Sequence, residues 1–137
     1  MIKKIRDILG GNEAGKVIGV LGLTFKPETD DIRDAPSLTI LPALLEKGAK
    51  VLAHDPKGVN EASQHLPAEI TYKDNPYEVC AGADGLILMT EWNQYRALDF
   101  EKIKSLMKEP LFIDLRNVYE PETLQGLGFT YVGVGRS

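Results

Sequence analysis

Four short, strongly apolar runs limit what this chain can fold into: "KVIGVLGL" from Lys16, "AKVLAHDP" from Ala49, "DGLILMT" from Asp84 and "PLFIDLR" from Pro110. A strand with one face in water alternates apolar and polar residues, because successive side chains point to opposite faces. "KVIGVLGL" does not alternate, which is the pattern of a strand covered on both faces, as in a parallel sheet. "EITYK" and "FTYVGVG" add two further strands. Helical segments separate them. "SLTILPALLEKG" places Leu38, Leu41 and Leu45 on one face, with Pro42 expected to kink it and Gly48 to stop it. "GVNEASQHL", "NPYEVCAGA" with Pro76 at its start, and the amphipathic "ALDFEKIKSLMK" follow. The expected fold is α/β: a Rossmann-like open sheet, mostly parallel, with helices on both faces. Ile2, Ile5 and Leu9 have helical spacing before Gly10-Gly11, so residues 1–14 are expected to be the tail of a preceding linker helix and residues 15–137 the domain proper.

The 137 residues suit one domain able to bury a core without crosslinks. A net charge of -4 argues against a nucleic-acid partner, which draws on a basic excess. Cys80 is the single cysteine, so neither a disulfide framework nor a cysteine-rich metal site is expected, and a reducing compartment fits. "MIKKIRDILGG" lacks the apolar core of a signal peptide, and no run approaches the ~20 apolar residues of a membrane span. The expected location is cytoplasmic, without membrane contact.

Ligands of an open α/β sheet sit outside the carboxyl ends of its strands. Four polar groups occupy those ends here: the loop from Thr24 to Asp34, His54-Asp55-Pro56, Thr90-Glu91-Trp92, and Asp114-Leu115-Arg116-Asn117. The first turn is where a dinucleotide fingerprint, G-x-G-x-x-G, would stand. Gly19 and Gly22 are followed by Phe25 where a third glycine belongs, and Gly19 is expected inside the strand. The pyrophosphate cradle is missing. Side chains are offered instead: Lys26, about three residues past the strand end, and Arg33 near the start of the next helix, both able to meet a phosphate. Glu28, Asp30, Asp31 and Asp34 surround them, so a solvated loop with local ion pairs is an equal alternative. Arg116 follows a strand directly and faces either a ligand or a surface pair with Asp114 or Glu120.

Asp55 before Pro56 is better explained as a turn former capping the next helix than as a ribose ligand, since its glycine loop is absent. Thr90-Glu91-Trp92 reads either as a cap with a hydrophobic anchor or as the lining of a pocket or subunit contact. Cys80 in "YEVCAGADG" has no basic neighbour and reads as a small buried apolar residue. His54 and His65 have no metal spacing, no nucleophile and base stand together, and the segment alone looks like a binder and not a complete catalyst.

"GLTFKPETDDIRDAPSL", then "KGAKVLAHDP", "LILMTEW" and "IDLRN", in this order, resemble the C-terminal domain of the UDP-glucose 6-dehydrogenase family, which also includes GDP-mannose and UDP-N-acetylmannosamine dehydrogenases. The resemblance runs from about Gly15 to Arg136. It implies a UDP-sugar-binding domain of an NAD-dependent enzyme that oxidises UDP-glucose to UDP-glucuronate. Phe25 and Lys26 match the family's substrate-contacting pair, Arg116 the strand-end arginine that contacts the UDP-sugar, and Arg33 the arginine that reaches the NAD. It further implies that NAD is bound mainly by an N-terminal domain, that the catalytic cysteine lies in a middle domain and is not Cys80, and that the full-length protein is a homo-oligomer. The alternatives are the same domain of a UDP-N-acetylmannosamine or GDP-mannose dehydrogenase, or a stand-alone nucleotide-binding module.

Overall fold

A computed structural model of the chain describes residues 15–24, 37–116 and 119–133. Within them six strands form one sheet: β1 (Val17–Leu21), β2 (Lys50–His54), β3 (Thr71–Tyr72), β4 (Gly85–Leu88), β5 (Leu111–Asp114) and β6 (Thr130–Gly133). Their order is β3-β2-β1-β4-β5-β6, and every neighbouring pair is parallel. The chain builds outward from β1 to one edge, then returns to the other side of β1 with β4. The carboxyl ends of β1 and β4 therefore border the switch-point crevice of a doubly wound sheet.

Among the described residues six helices cover the faces: α1 (Ser37–Glu46), α2 (Val59–Ser63), α3 (Pro76–Cys80), α4 (Asn93–Arg96), α5 (Phe100–Leu106) and α6 (Pro121–Gly126). Two cores result. On one face Ile18, Val20, Val51, Ile87 and Ile113 of the strands pack with Ile40, Leu41 and Leu44 of α1. On the other, Leu21, Leu86, Leu88 and Phe112 pack with Val79 of α3, Tyr95 of α4, Ile103 of α5 and Leu124 of α6. Alternate residues of β1 and β4 thus enter opposite cores, which is why those runs contain no polar alternation.

The carboxyl end of α1 is a Schellman turn. Gly48, at φ +93°, donates its N–H to Leu45 O at 2.9 Å, and Ala49 donates to Leu44 O at 3.1 Å. The helix continues through Pro42, but its buried face is not the expected one. Ser37, Ile40, Leu41 and Leu44 are buried, whereas Leu38 and Leu45 flank them half-buried. Nearly every position from Leu38 to Leu45 is apolar, so periodicity selects no face and the sheet decides. Helices α4 and α6 were not expected from the sequence, although α6 begins with Pro121 at its first turn. Gly19 does lie inside β1, paired with Leu52 and Leu86, where an added Cβ would strike the Val79 carbonyl of α3. The helical reading of Ile2, Ile5 and Leu9 lies outside the described residues, as does the end of the "FTYVGVG" run beyond Gly133.

Candidate functional site

The carboxyl ends of β1, β2 and β4 are tied together, with the start of α1, by three buried polar side chains. Asp55, just past β2, uses both oxygens. Oδ2 accepts the N–H of Leu23 at 2.7 Å and of Thr24 at 3.2 Å, and Oδ1 accepts those of Lys57 at 2.9 Å and Gly58 at 2.6 Å. Gly58 is the N-cap of α2 and receives no side-chain cap, so Asp55 forms the turn that leads into the helix, as its place before Pro56 suggested, without capping the helix itself. The same carboxylate also fastens β2 to the end of β1, which sequence reasoning missed. Four donors match the roughly four lone-pair sites of a carboxylate, leaving no position for a ribose hydroxyl.

Thr90 and Ser37 complete the anchoring. Thr90 Oγ1 donates to Thr24 O at 2.6 Å, and Ser37 Oγ donates to Leu23 O at 2.7 Å. Gly22 adopts φ +91°, and a Cβ there would lie 2.5 Å from the Thr90 Cβ. Its close approach therefore serves packing against β4 and not a phosphate. The described chain thus stops at Thr24 and resumes at Ser37, and both points are fixed at the strand ends. Phe25, Lys26 and Arg33 themselves lie outside the described residues, as do Glu28, Asp30, Asp31 and Asp34.

Arg116 is placed beyond β5. Its guanidinium meets neither Asp114 nor Glu120, the two partners considered from sequence. Nε donates to Glu91 Oε2 at 2.7 Å, between side chains that are 33% and 23% exposed. Asp114 instead accepts the backbone N–H of Arg116 on Oδ1 at 2.9 Å, while its Oδ2 accepts from Tyr119 N at 3.1 Å and Tyr131 Oη at 2.8 Å. Glu91 was missed because the pair is 25 residues apart in sequence. The available signal was register: Leu88 stands opposite Asp114, and both residues lie just beyond that rung.

Thr90 is no side-chain cap, since its hydroxyl goes to Thr24 and the N-cap of α4 is Trp92. Trp92 is 3% exposed and packs in the core with Tyr95 and Ile103, which decides for the hydrophobic anchor. Its buried Nε1 has no hydrogen-bond partner. His54 and Tyr95 form a second buried contact, with His54 Nδ1 at 2.9 Å from Tyr95 Oη and that hydroxyl also 3.1 Å from His54 O. Burial lowers the His54 pKa, against the opposing pull of the Asp55 charge, and burial raises that of Tyr95.

Cys80 is fully buried, its thiol 3.4 Å from Pro76 O, and desolvation pushes its pKa up to about 12. It has none of the thiolate character of a nucleophile. Among the described residues no group of three or more His, Cys, Asp or Glu is placed to hold a metal ion. No helix among them is long and apolar enough to cross a membrane. A cleft of about 420 Å³ lined by Leu45, Ala49, Lys50, Val51, Glu69 and Thr71 opens at the amino ends of β2 and β3, away from the groups above.

Residues 19–121 match the profile of the UDP-glucose/GDP-mannose dehydrogenase family, UDP binding domain. The chain is 46% identical over 136 residues to a UDP-glucose 6-dehydrogenase of Rhizobium meliloti, covering 99% of this chain and 31% of that protein. A UDP-glucose dehydrogenase structure from Pyrobaculum islandicum superposes with a TM-score of 0.78 at 30% identity, covering 99% of this chain and 29% of that one. An NDP-N-acetyl-D-galactosaminuronic acid dehydrogenase from Methanosarcina mazei gives 0.81 at 32% identity, covering 99% and 28%. The chain spans about 31% of the length of the curated relatives it matches.

Proposed function

This chain belongs to the UDP-glucose/GDP-mannose dehydrogenase family, and on that premise we propose that it is the UDP-sugar-binding C-terminal domain of an NAD-dependent UDP-glucose 6-dehydrogenase. The parent enzyme oxidises the C6 alcohol of UDP-glucose to the carboxylate of UDP-glucuronate. The observation that carries the reading is the 46% identity to a UDP-glucose 6-dehydrogenase across 99% of this chain. The strand-end geometry supports it: the Lys26 loop starts from a fastened base, and Arg116 is drawn by Glu91 toward the β4 side of the crevice.

In this reading Phe25 and Lys26 contact the substrate, and Arg116 offers its planar fork to the nucleotide-sugar. Lys26 contributes a compact charge, so the two cations are not interchangeable. Contacts to the remote nucleotide hold C6 in place for reaction elsewhere in the enzyme, where they act as orientation and lower the barrier.

NAD, the proposed oxidant, would supply the hydride acceptor in the parent enzyme. The described residues do not fit it: Gly22 is closed against Thr90, and Asp55 is filled by backbone N–H groups. We assign to this domain only one contact with NAD, through Arg33, with the cradle and the catalytic cysteine in other domains of a homo-oligomeric parent. The proposed compartment is the cytoplasm, which suits the single buried thiol.

Fold similarity does not choose the sugar, since TM-scores of 0.78 and 0.81 fall to enzymes named for different substrates. Sequence identity favours UDP-glucose, and a substrate panel on the full-length enzyme is the measurement that separates it from UDP-N-acetylmannosamine and GDP-mannose. The test of the binding role is Lys26→Ala in that enzyme. A fall in kcat/KM of about a hundredfold or more is expected for a lost charged contact. Unchanged kinetics would remove Lys26 from the site.

A further inference from the structure

Arg116 is held at two points. Its backbone N–H is fixed by buried Asp114, and its Nε–H by Glu91. A guanidinium carries five N–H donors, so a bond through Nε leaves the four on the terminal amino groups. No other residue engages them among the described residues. The two side chains are 33% and 23% exposed, and an ion pair in that setting contributes little to stability. The pair nevertheless spans two adjacent strands at the ligand side of the sheet, joining β5 to the β4 end that borders the crevice.

We propose that Glu91 is a positioning residue. It holds Arg116 by Nε so that the two terminal amino groups present a fixed fork to an oxyanion, the diphosphate of a uridine nucleotide. The inference rests on the reading of Arg116 as a ligand-binding residue. Without Glu91 the arginine occupies several rotamers, and the ligand itself must order it. The Glu91 charge acts in the opposite direction by repelling the ligand, a screened effect across partly exposed groups. Substitution separates the two contributions. Glutamine keeps an oxygen acceptor for Nε–H and loses the charge, whereas alanine loses both.

The experiment is UDP binding to this chain by calorimetry, with the Arg116 Nε–H signal followed by NMR, in the unsubstituted protein, E91Q, E91A and R116A. E91A is expected to bind UDP about tenfold more weakly, with its Arg116 signal moving toward that of a free arginine. E91Q is expected to stay within about threefold of the unsubstituted chain, because its acceptor rescues the orientation. Equal affinities of E91Q and E91A would assign Glu91 a purely electrostatic role and overturn positioning. Weakened binding in R116A with none in E91A overturns positioning alone. Undiminished binding in R116A overturns the reading of Arg116 beneath it, and no binding by the unsubstituted chain counts against both.

Discussion

Asp55, past the end of β2, accepts the Leu23 N–H from the end of β1 at 2.7 Å. The chain places 31 residues between them, yet this bond and its three companions set where the Lys26 loop begins. Asp55→Ala leaves the N–H groups of Leu23, Thr24 and Gly58 buried without an acceptor. The expected loss is about 3–4 kcal/mol of unfolding free energy by chemical denaturation. Asp55→Asn, with one accepting oxygen, is expected to recover part of it. A loss below about 1 kcal/mol for the alanine variant would show that the carboxylate is not the fastening.

Two glycines separate close approach from backbone strain. Gly22 and Gly82 both have positive φ, at +91° and +73°, but only Gly22 has Thr90 within 2.5 Å of an added Cβ. Gly82→Ala is expected to cost about 1–2 kcal/mol from the left-handed backbone alone. Gly22→Ala is expected to cost about 1–3 kcal/mol more, because β4 must shift. Equal costs by thermal unfolding would contradict the close packing at the loop base.

His54 gives the fold a pH dependence with a definite sign. Its folded pKa lies below the unfolded value of 6.5, so the unfolded chain binds the proton more readily. Stability from His54 is present above pH 6.5 and declines as pH falls from there through the lower folded pKa, by at most about 1.4 kcal/mol per pH unit. Urea unfolding of the unsubstituted chain and of His54→Gln across pH 5–8 checks this. The component is expected to vanish in the variant, and an identical slope in both would place it on other groups.

Cys80 is expected to be inert in the folded chain. With the thiol pushed up to about 12 and no exposed surface, a thiol reagent at pH 8 is expected to label it only after denaturation. Rapid labelling of native protein would reopen it as a reactive group.

The strands were legible because each apolar run lies in a sheet covered on both faces, so composition alone marks it. The face of α1 was not, because Leu38 to Leu45 is apolar nearly all round and only the neighbouring sheet selects Ile40 and Leu44. The strand-end residues were legible as positions: Asp55, Thr90 and Arg116 each follow an apolar run. Their partners were not. Asp55 with Leu23, Thr90 with Thr24, and Arg116 with Glu91 each join different strands, and such pairings exist only once strand order and register are set. Lys26 stood out by sequence resemblance, and its placement lies outside the described residues.

The central claim is that nucleotide-sugar meets this domain at the carboxyl ends of β1, β4 and β5. An NMR titration of the ¹⁵N-labelled chain with UDP-glucose tests it most directly. The predicted result is saturable shifts at Lys26, at the Arg116 side chain and at the amides from Thr90 to Trp92, abolished together in Lys26→Ala/Arg116→Ala. Shifts confined to the opposite edge, around Leu45, Val51 and Thr71, or no shifts at all, would contradict it.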